Sequence, residues 1–127
     1  MDDLYRDYII EHYKRPHNFG ELTDPDFQAH EVNPLCGDDL GVQIRVEDGK
    51  IADIKFQGRG CAISQAAASM ATEELIGMDV GEAAELPATW ILELLGMPIS
   101  APRRKCALLL LKAVRRAISG NEDWPTN

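Results

Sequence analysis

Between Leu40 and Gln57 apolar and polar residues alternate, and on both sides of that stretch apolar residues recur at helical spacing. Leu40, Val42, Ile44 and Val46 alternate with Gly41, Gln43, Arg45 and Glu47, the period of a half-buried strand. Ala52, Ile54 and Phe56 alternate with Asp53, Lys55 and Gln57 and predict a second strand. Asp48-Gly49 between them marks a hairpin. A two-residue loop would pair Glu47 with Lys50 and mix the two faces. A three-residue loop with Gly49 left-handed pairs Val46 with Lys50, Ile44 with Ala52, Val42 with Ile54 and Leu40 with Phe56. A one-residue slip turns every side chain to the other face, so the second register is expected. Its extension sets Cys36 roughly opposite Gly60, which brings Cys36 and Cys61 to one end of the hairpin.

The flanking segments read mainly as helices. Asp2 or Asp3 can cap a first helix whose buried face holds Leu4, Tyr5, Tyr8, Ile9, His12 and Tyr13, and Pro16 ends it. A short edge strand is expected from about Phe27 to Val32, closed by Pro34. After Gly58-Arg59-Gly60 an alanine-rich helix starts near Cys61 and runs to about Ile76, with Gly77 as its C-cap. Asp79 with Glu82 resembles a capping box for a short helix. Another spans about Ala88 to Leu95 and stops at Gly96. Ser100 and Pro102 start the last helix. Its inward side carries Ala107, Leu108, Leu110, Leu111, Val114 and Ile118. Lys112, Arg115, Arg116 and Ser119 face outward, and Gly120 stops it. Residues 1–120 are expected to form one α+β domain, and residues 121–127 a loose tail.

Length and charge narrow the function. A chain of 127 residues suits one domain with a real core. A net charge of −8 argues against a nucleic-acid partner, which needs a basic footprint. No apolar run approaches the ~20 residues of a membrane span. The acidic start lacks a secretory pattern, so a cytoplasmic protein is expected.

The chemistry lies in three cysteines and one carboxylate. Asn33-Pro34-Leu35-Cys36-Gly37-Asp38 puts a thiol and a carboxylate two residues apart on a turn. Cys61 and Cys106 are each expected in the first turns of a helix, where free N–H groups and the dipole favour the thiolate. Arg59 beside Cys61, and Arg103, Arg104 and Lys105 before Cys106, would add to this, with Arg59, Arg103 and Lys105 compensating the charge of the site. An odd cysteine count does not suit a disulfide framework. Three thiolates with Asp38 make a set of three sulfurs and one oxygen, which suits tetrahedral zinc or an iron–sulfur cluster. Spacing alone favours inert buried cysteines, and the hairpin register with the two helix starts brings a metal site level with that reading. His12 and His17 could serve as ligands, but with His30 they read foremost as structural or surface residues; Trp90, core or a docking aromatic, reads foremost as core.

Taken together, four segments resemble a known family. They are Glu11 to Gly20, Asn33 to Asp38, Phe56 to Ser64, and Arg103 to Cys106. Over about Leu4 to Ser119 the chain resembles the IscU/SufU group and the N-terminal part of NifU, which serve in iron–sulfur cluster assembly. The resemblance implies a small three-stranded antiparallel sheet packed by four to five helices. It implies that Cys36, Asp38, Cys61 and Cys106 ligate zinc or a [2Fe–2S] cluster, and that a cysteine desulfurase delivers persulfide sulfur here. Downstream iron–sulfur acceptor proteins are implied as well. By resemblance to SufU the sulfur acceptor is Cys36; by resemblance to IscU it is Cys106. IscU proteins carry a histidine where Lys105 stands. The segment between Cys61 and Cys106 is short, as in IscU, and lacks the insertion usual in SufU. Met97-Pro98-Ile99-Ser100-Ala101-Pro102 replaces the chaperone-binding segment of IscU. Three readings follow: a cluster scaffold, a zinc-dependent sulfur acceptor, or a structural zinc module without sulfur transfer.

Overall fold

The computed structural model describes residues 2–126, with side chains from Arg6 onward. The elements are α1 (Asp2–Lys14), β1 (Phe27–Asn33), β2 (Asp38–Glu47), β3 (Lys50–Arg59), α2 (Ala62–Leu75), α3 (Val80–Ala84), α4 (Ala88–Leu95) and α5 (Ala101–Ser119). The strands form an antiparallel meander in the order β1-β2-β3. This is the expected α+β architecture, with three strands and five helices among the described residues.

The core is the inward face of the sheet against α2 and α5. Leu40, Val42 and Ile44 from β2 meet Ile51, Ile54 and Phe56 from β3, all buried. Ala66, Ala67, Ala68, Met70 and Ala71 from α2 and Leu108, Leu109, Leu110, Leu111 and Val114 from α5 complete it. Alanine on α2 lets that helix approach closely while α5 supplies volume. The outward face of the sheet, with Gln28, His30, Gln43, Lys55 and Gln57, is polar, which accounts for the alternation in sequence. Backbone bonds from Asn18 and Gly20 to Phe56 cover part of the outer edge of β3.

The hairpin register differs from the expected one. Asp48 and Gly49 both have positive φ, 53° and 76°, and form a two-residue turn that pairs Glu47 with Lys50. A bulge then follows between Arg45 and Val46, where Ala52 is the extra residue. Beyond it Ile44 pairs with Ile54, Val42 with Phe56 and Leu40 with Gly58. The bulge restores the faces that a two-residue loop alone would mix. The faces are buried as expected at Leu40, Val42, Ile44, Ile54 and Phe56, but Ile51 is buried instead of Ala52 and the strands are displaced by two residues. The last pair is Asp39 with Arg59, so Asp38, rather than Cys36, comes level with Gly60.

Other expectations change as well. The side chains of Asp2, Asp3, Leu4 and Tyr5, on which the expected cap and part of the expected buried face rest, lie outside those described. On the described part of α1, Ile9 and His12 are buried while Tyr8 and Tyr13 are about half exposed. Lys112 does not face outward. Its ammonium lies 2.7 Å from Glu31 on β1, and Arg116 binds the other Glu31 oxygen at 3.0 Å. The inward row of β1 ends in the polar residues Glu31 and Asn33, so α5 meets this edge with charge. Trp124 packs on the core, Pro125 is buried, and Thr126 O accepts the N–H of Ala88 at 3.0 Å. That bond satisfies an N–H that α4 cannot satisfy itself.

Candidate metal centre

The β1–β2 turn, the end of β3, the start of α2 and the second turn of α5 converge on one point. Asn33 and Asp38 form the last β1–β2 pair. Asn33 O accepts from Cys36 N at 3.2 Å and from Gly37 N at 2.8 Å. Its Oδ1 accepts from Leu35 N at 3.3 Å. Gly37 takes φ 75°, a left-handed position that glycine adopts without strain. This folds the turn tightly and leaves Cys36 exposed.

Asp38 is 1% exposed. Its Oδ1 accepts the backbone N–H of Cys61 at 3.0 Å, while the buried Oδ2 has no hydrogen-bond partner. Gly60 makes room for this carboxylate, since a Cβ there would lie 2.7 Å from Oδ1. Cys106 is buried, and its Sγ lies 3.0 Å from Cys36 Sγ. Asn33 Nδ2 donates to Cys36 Sγ at 3.3 Å and reaches Cys106 Sγ at 4.0 Å. The ligand atoms of Cys36, Asp38 and Cys106 all lie within 4.8 Å of one another. Cys61 is the N-cap of α2 and stands outside that group of three, although its side chain is close enough to influence Cys106.

This donor set fits a soft or borderline metal. A buried carboxylate oxygen without a donor is costly, and a cation satisfies it. Two sulfurs in contact beside that oxygen match zinc or cluster iron better than a hard cation.

The protonation of Cys106 departs from expectation. Burial above all, then the neighbouring Cys36, Asp38 and Cys61 side chains, push its thiol far above the usual range. In the metal-free protein it is therefore a neutral thiol near pH 7. The reason is position. Cys106 is the sixth residue of α5, beyond the first turn where the helix dipole acts. A bound cation, rather than the helix end, would supply the drive to deprotonate it.

The basic residues lie around the site. Arg59 ends β3 opposite Asp39, Arg103 is exposed in the first turn of α5, and Lys105 is exposed with its ammonium 5.2 Å from the Trp124 ring centre. Among the described residues, no ion pair joins these three to Asp38. Sequence reasoning missed Asn33. It stands in the quoted turn, yet nothing local shows that its amide reaches sulfur from a residue 73 positions away.

The NifU-like N terminal domain family matches residues 4–124. The chain is 39% identical over 117 residues to the iron-sulfur cluster assembly scaffold protein IscU 1 of Archaeoglobus fulgidus, covering 91% of this chain and 74% of that one. It is 32% identical over 139 residues to the zinc-dependent sulfurtransferase SufU of Bacillus subtilis, covering 96% of this chain and 94% of that one. A crystal structure of a scaffold protein for the SUF system from Fervidobacterium islandicum AW-1 superposes with a TM-score of 0.78 at 26% identity, over 88% of this chain and 94% of that one. With the four quoted segments, this fold and this similarity along nearly its whole length, the chain belongs to the NifU-like N-terminal domain family, alongside the IscU and SufU proteins.

Proposed function

We propose that the protein acts in cytoplasmic iron–sulfur cluster assembly, accepting persulfide sulfur from a cysteine desulfurase on Cys36 within a centre formed by Cys36, Asp38, Cys61 and Cys106. The observation that carries this reading is the pairing of an exposed sulfur, Cys36, with a buried one, Cys106, at 3.0 Å. The exposed partner can meet a second protein while the buried one stays within the fold. In the transfer, the Cys36 thiolate attacks the outer sulfur of the desulfurase persulfide. The sulfur–sulfur bond breaks, the desulfurase cysteine leaves as a thiolate, and Cys36 retains the transferred sulfur. No external oxidant or reductant is needed. The Asn33 amide donates to the Cys36 sulfur and holds it in place.

Zinc, when bound, would keep the coordinating thiols deprotonated at neutral pH. Cys36, Asp38 and Cys106 would hold it, with Cys61 as the fourth ligand. The same donors suit a nascent [2Fe–2S] cluster as cargo for downstream acceptor proteins. The names of the relatives support both roles, one as scaffold and one as zinc-dependent sulfurtransferase. Asp38 gives the set one hard, exchangeable corner, which suits a site that must release what it holds. Arg59, Arg103 and Lys105 would offset the net negative charge of the ligands.

Desulfurase turnover, followed as alanine production, tests the assignment. The native protein is expected to stimulate a SufS-like enzyme, and Cys36→Ala to abolish that stimulation. Full stimulation by Cys36→Ala would overturn the acceptor assignment. Anaerobic reconstitution with iron and sulfide tests the scaffold role, and failure to hold any cluster would count against it.

A further inference from the structure

A second group of metal-ligating side chains lies well away from the cysteines. His12 projects from α1, His17 from the loop after it, and Glu73 from the last turns of α2. The twelve residues of α2 between the level of Cys61 and that of Glu73 rise roughly 18 Å. We propose that His12, His17 and Glu73 form a separate site for a borderline divalent ion such as Zn(II), Co(II) or Ni(II), which would tie α1 and its following loop to α2.

The geometry supports this in three ways. One nitrogen from each histidine and one carboxylate oxygen lie within 4.8 Å of one another. Glu73 already bridges the rings, with Oε1 3.5 Å from His12 Nε2 and Oε2 2.9 Å from His17 Nδ1. The first ligand is also held in place. His12 is 2% exposed, and its Nδ1 lies 2.7 Å from the hydroxyl of Ser69. The same hydroxyl accepts the backbone N–H of His17 at 2.7 Å. One buried serine thus orients one ring and the backbone of the second ligand, as outer partners do in metal sites.

Metal binding selects the tautomer in which His12 Nδ1–H donates to Ser69 and Nε2 turns its lone pair to the ion. His17 and Glu73 are 51% and 39% exposed, so an ion has a path in. Two imidazoles and one carboxylate suit zinc, and a fourth position would remain for water on the open side. This set differs from the cysteine centre in having no sulfur. Spectroscopy can therefore tell the two apart.

The test is a Co(II) titration of the full-length protein after addition of one equivalent of Zn(II). A cobalt equivalent is expected to bind without a thiolate-to-cobalt charge-transfer band. It should broaden the imidazole signals of His12 and His17 in the NMR spectrum. Those signals report the histidine site whether or not the cysteines have taken zinc. His17→Ala and Glu73→Gln, both at partly exposed positions, should each weaken this binding at least about tenfold. Circular dichroism should show both variants folded. Unperturbed histidine signals, or binding unchanged in both variants, would overturn the proposal and leave Glu73 as a polar bridge between the two rings.

Discussion

Asp38 uses one carboxylate oxygen to hold the backbone N–H of Cys61 at 3.0 Å and leaves the other buried and unpaired beside the cysteines. The first bond fastens the start of α2 to the start of β2. The second oxygen is free for a cation. A single side chain therefore links the backbone of one expected ligand to the ligand atoms of the others.

The two roles can be separated by substitution. Asp38→Asn keeps an acceptor for Cys61 but removes the charge. We expect it to fold with a change in metal-free stability within about 1 kcal/mol, and to bind zinc at least about tenfold more weakly. Asp38→Ala loses both roles and should cost about 1–2 kcal/mol more. Urea denaturation with and without zinc, together with competition against a chelator, measures both effects. Equal zinc affinity in Asp38→Asn and the native protein would show that Oδ2 is not a ligand.

Two glycines near this carboxylate should respond differently to alanine. At Gly58, with φ 129°, a Cβ would run into the carbonyl oxygen of Asp39 and the backbone of Leu40, which cannot turn aside. At Gly60 it would meet Ser64 Oγ and Asp38 Oδ1, both side-chain atoms. Gly58→Ala should therefore be the more destabilising, by about 3 kcal/mol against about 1 kcal/mol for Gly60→Ala. Gly60→Ala should instead lower zinc affinity, because Asp38 must move. Thermal unfolding and zinc competition on the two variants check the inversion.

Much of this arrangement was legible in the sequence, and the exceptions have local causes. Alternation in β2 and β3 identified the buried faces, because burial acts on each side chain separately. The bulge at Ala52 breaks that pattern: Ile51 and Ile54 are buried three positions apart, where strict alternation places Ala52 inward. The expected register is therefore two residues out, and Asp38 instead of Cys36 comes level with Gly60. Gly96 and Gly120 marked the ends of α4 and α5, and both have positive φ, 71° and 77°. Lys112 was read as outward because its helical neighbours are mixed, and Glu31, 81 positions earlier, decides its place. The meeting of His12, His17 and Glu73 also depends on how α1 packs on α2, which periodicity does not encode.

The thiols should differ sharply in reactivity in the metal-free, reduced protein. Cys36 is exposed, whereas Cys106 is 1% exposed and held neutral by burial and its neighbours. Only the thiolate reacts, and only where a reagent can reach it. With a small alkylating agent near pH 7, Cys36 should be modified first and Cys106 last, with rates at least about a hundredfold apart. Added zinc should slow modification of Cys36. Timed quenching and peptide mass spectrometry give the order. Modification of Cys106 as fast as Cys36 in folded protein would contradict the buried position of the Cys106 sulfur.

Glu31 offers a test of stability against pH. It is 7% exposed and accepts from Lys112 at 2.7 Å and Arg116 at 3.0 Å. Burial is the largest single influence on its carboxyl and would raise the pKa. The hydrogen bonds and charges of Lys112 and Arg116 together outweigh it and hold the pKa below the ordinary value. The unfolded chain therefore binds a proton here at higher pH than the folded one. The stabilisation is fully present above the ordinary glutamate pKa of about 4.3 and is lost as pH falls through the lower folded value. Glu31→Gln should cost about 2 kcal/mol at pH 7, because Lys112 is left buried without its counter-charge. Other carboxylates contribute to native and variant alike, so the difference between their urea-denaturation curves isolates Glu31. That difference should be constant from about pH 7 to 5 and shrink below about pH 4. A difference that stays constant down to pH 3 would mean that the ion pair between β1 and α5 contributes nothing through its charge.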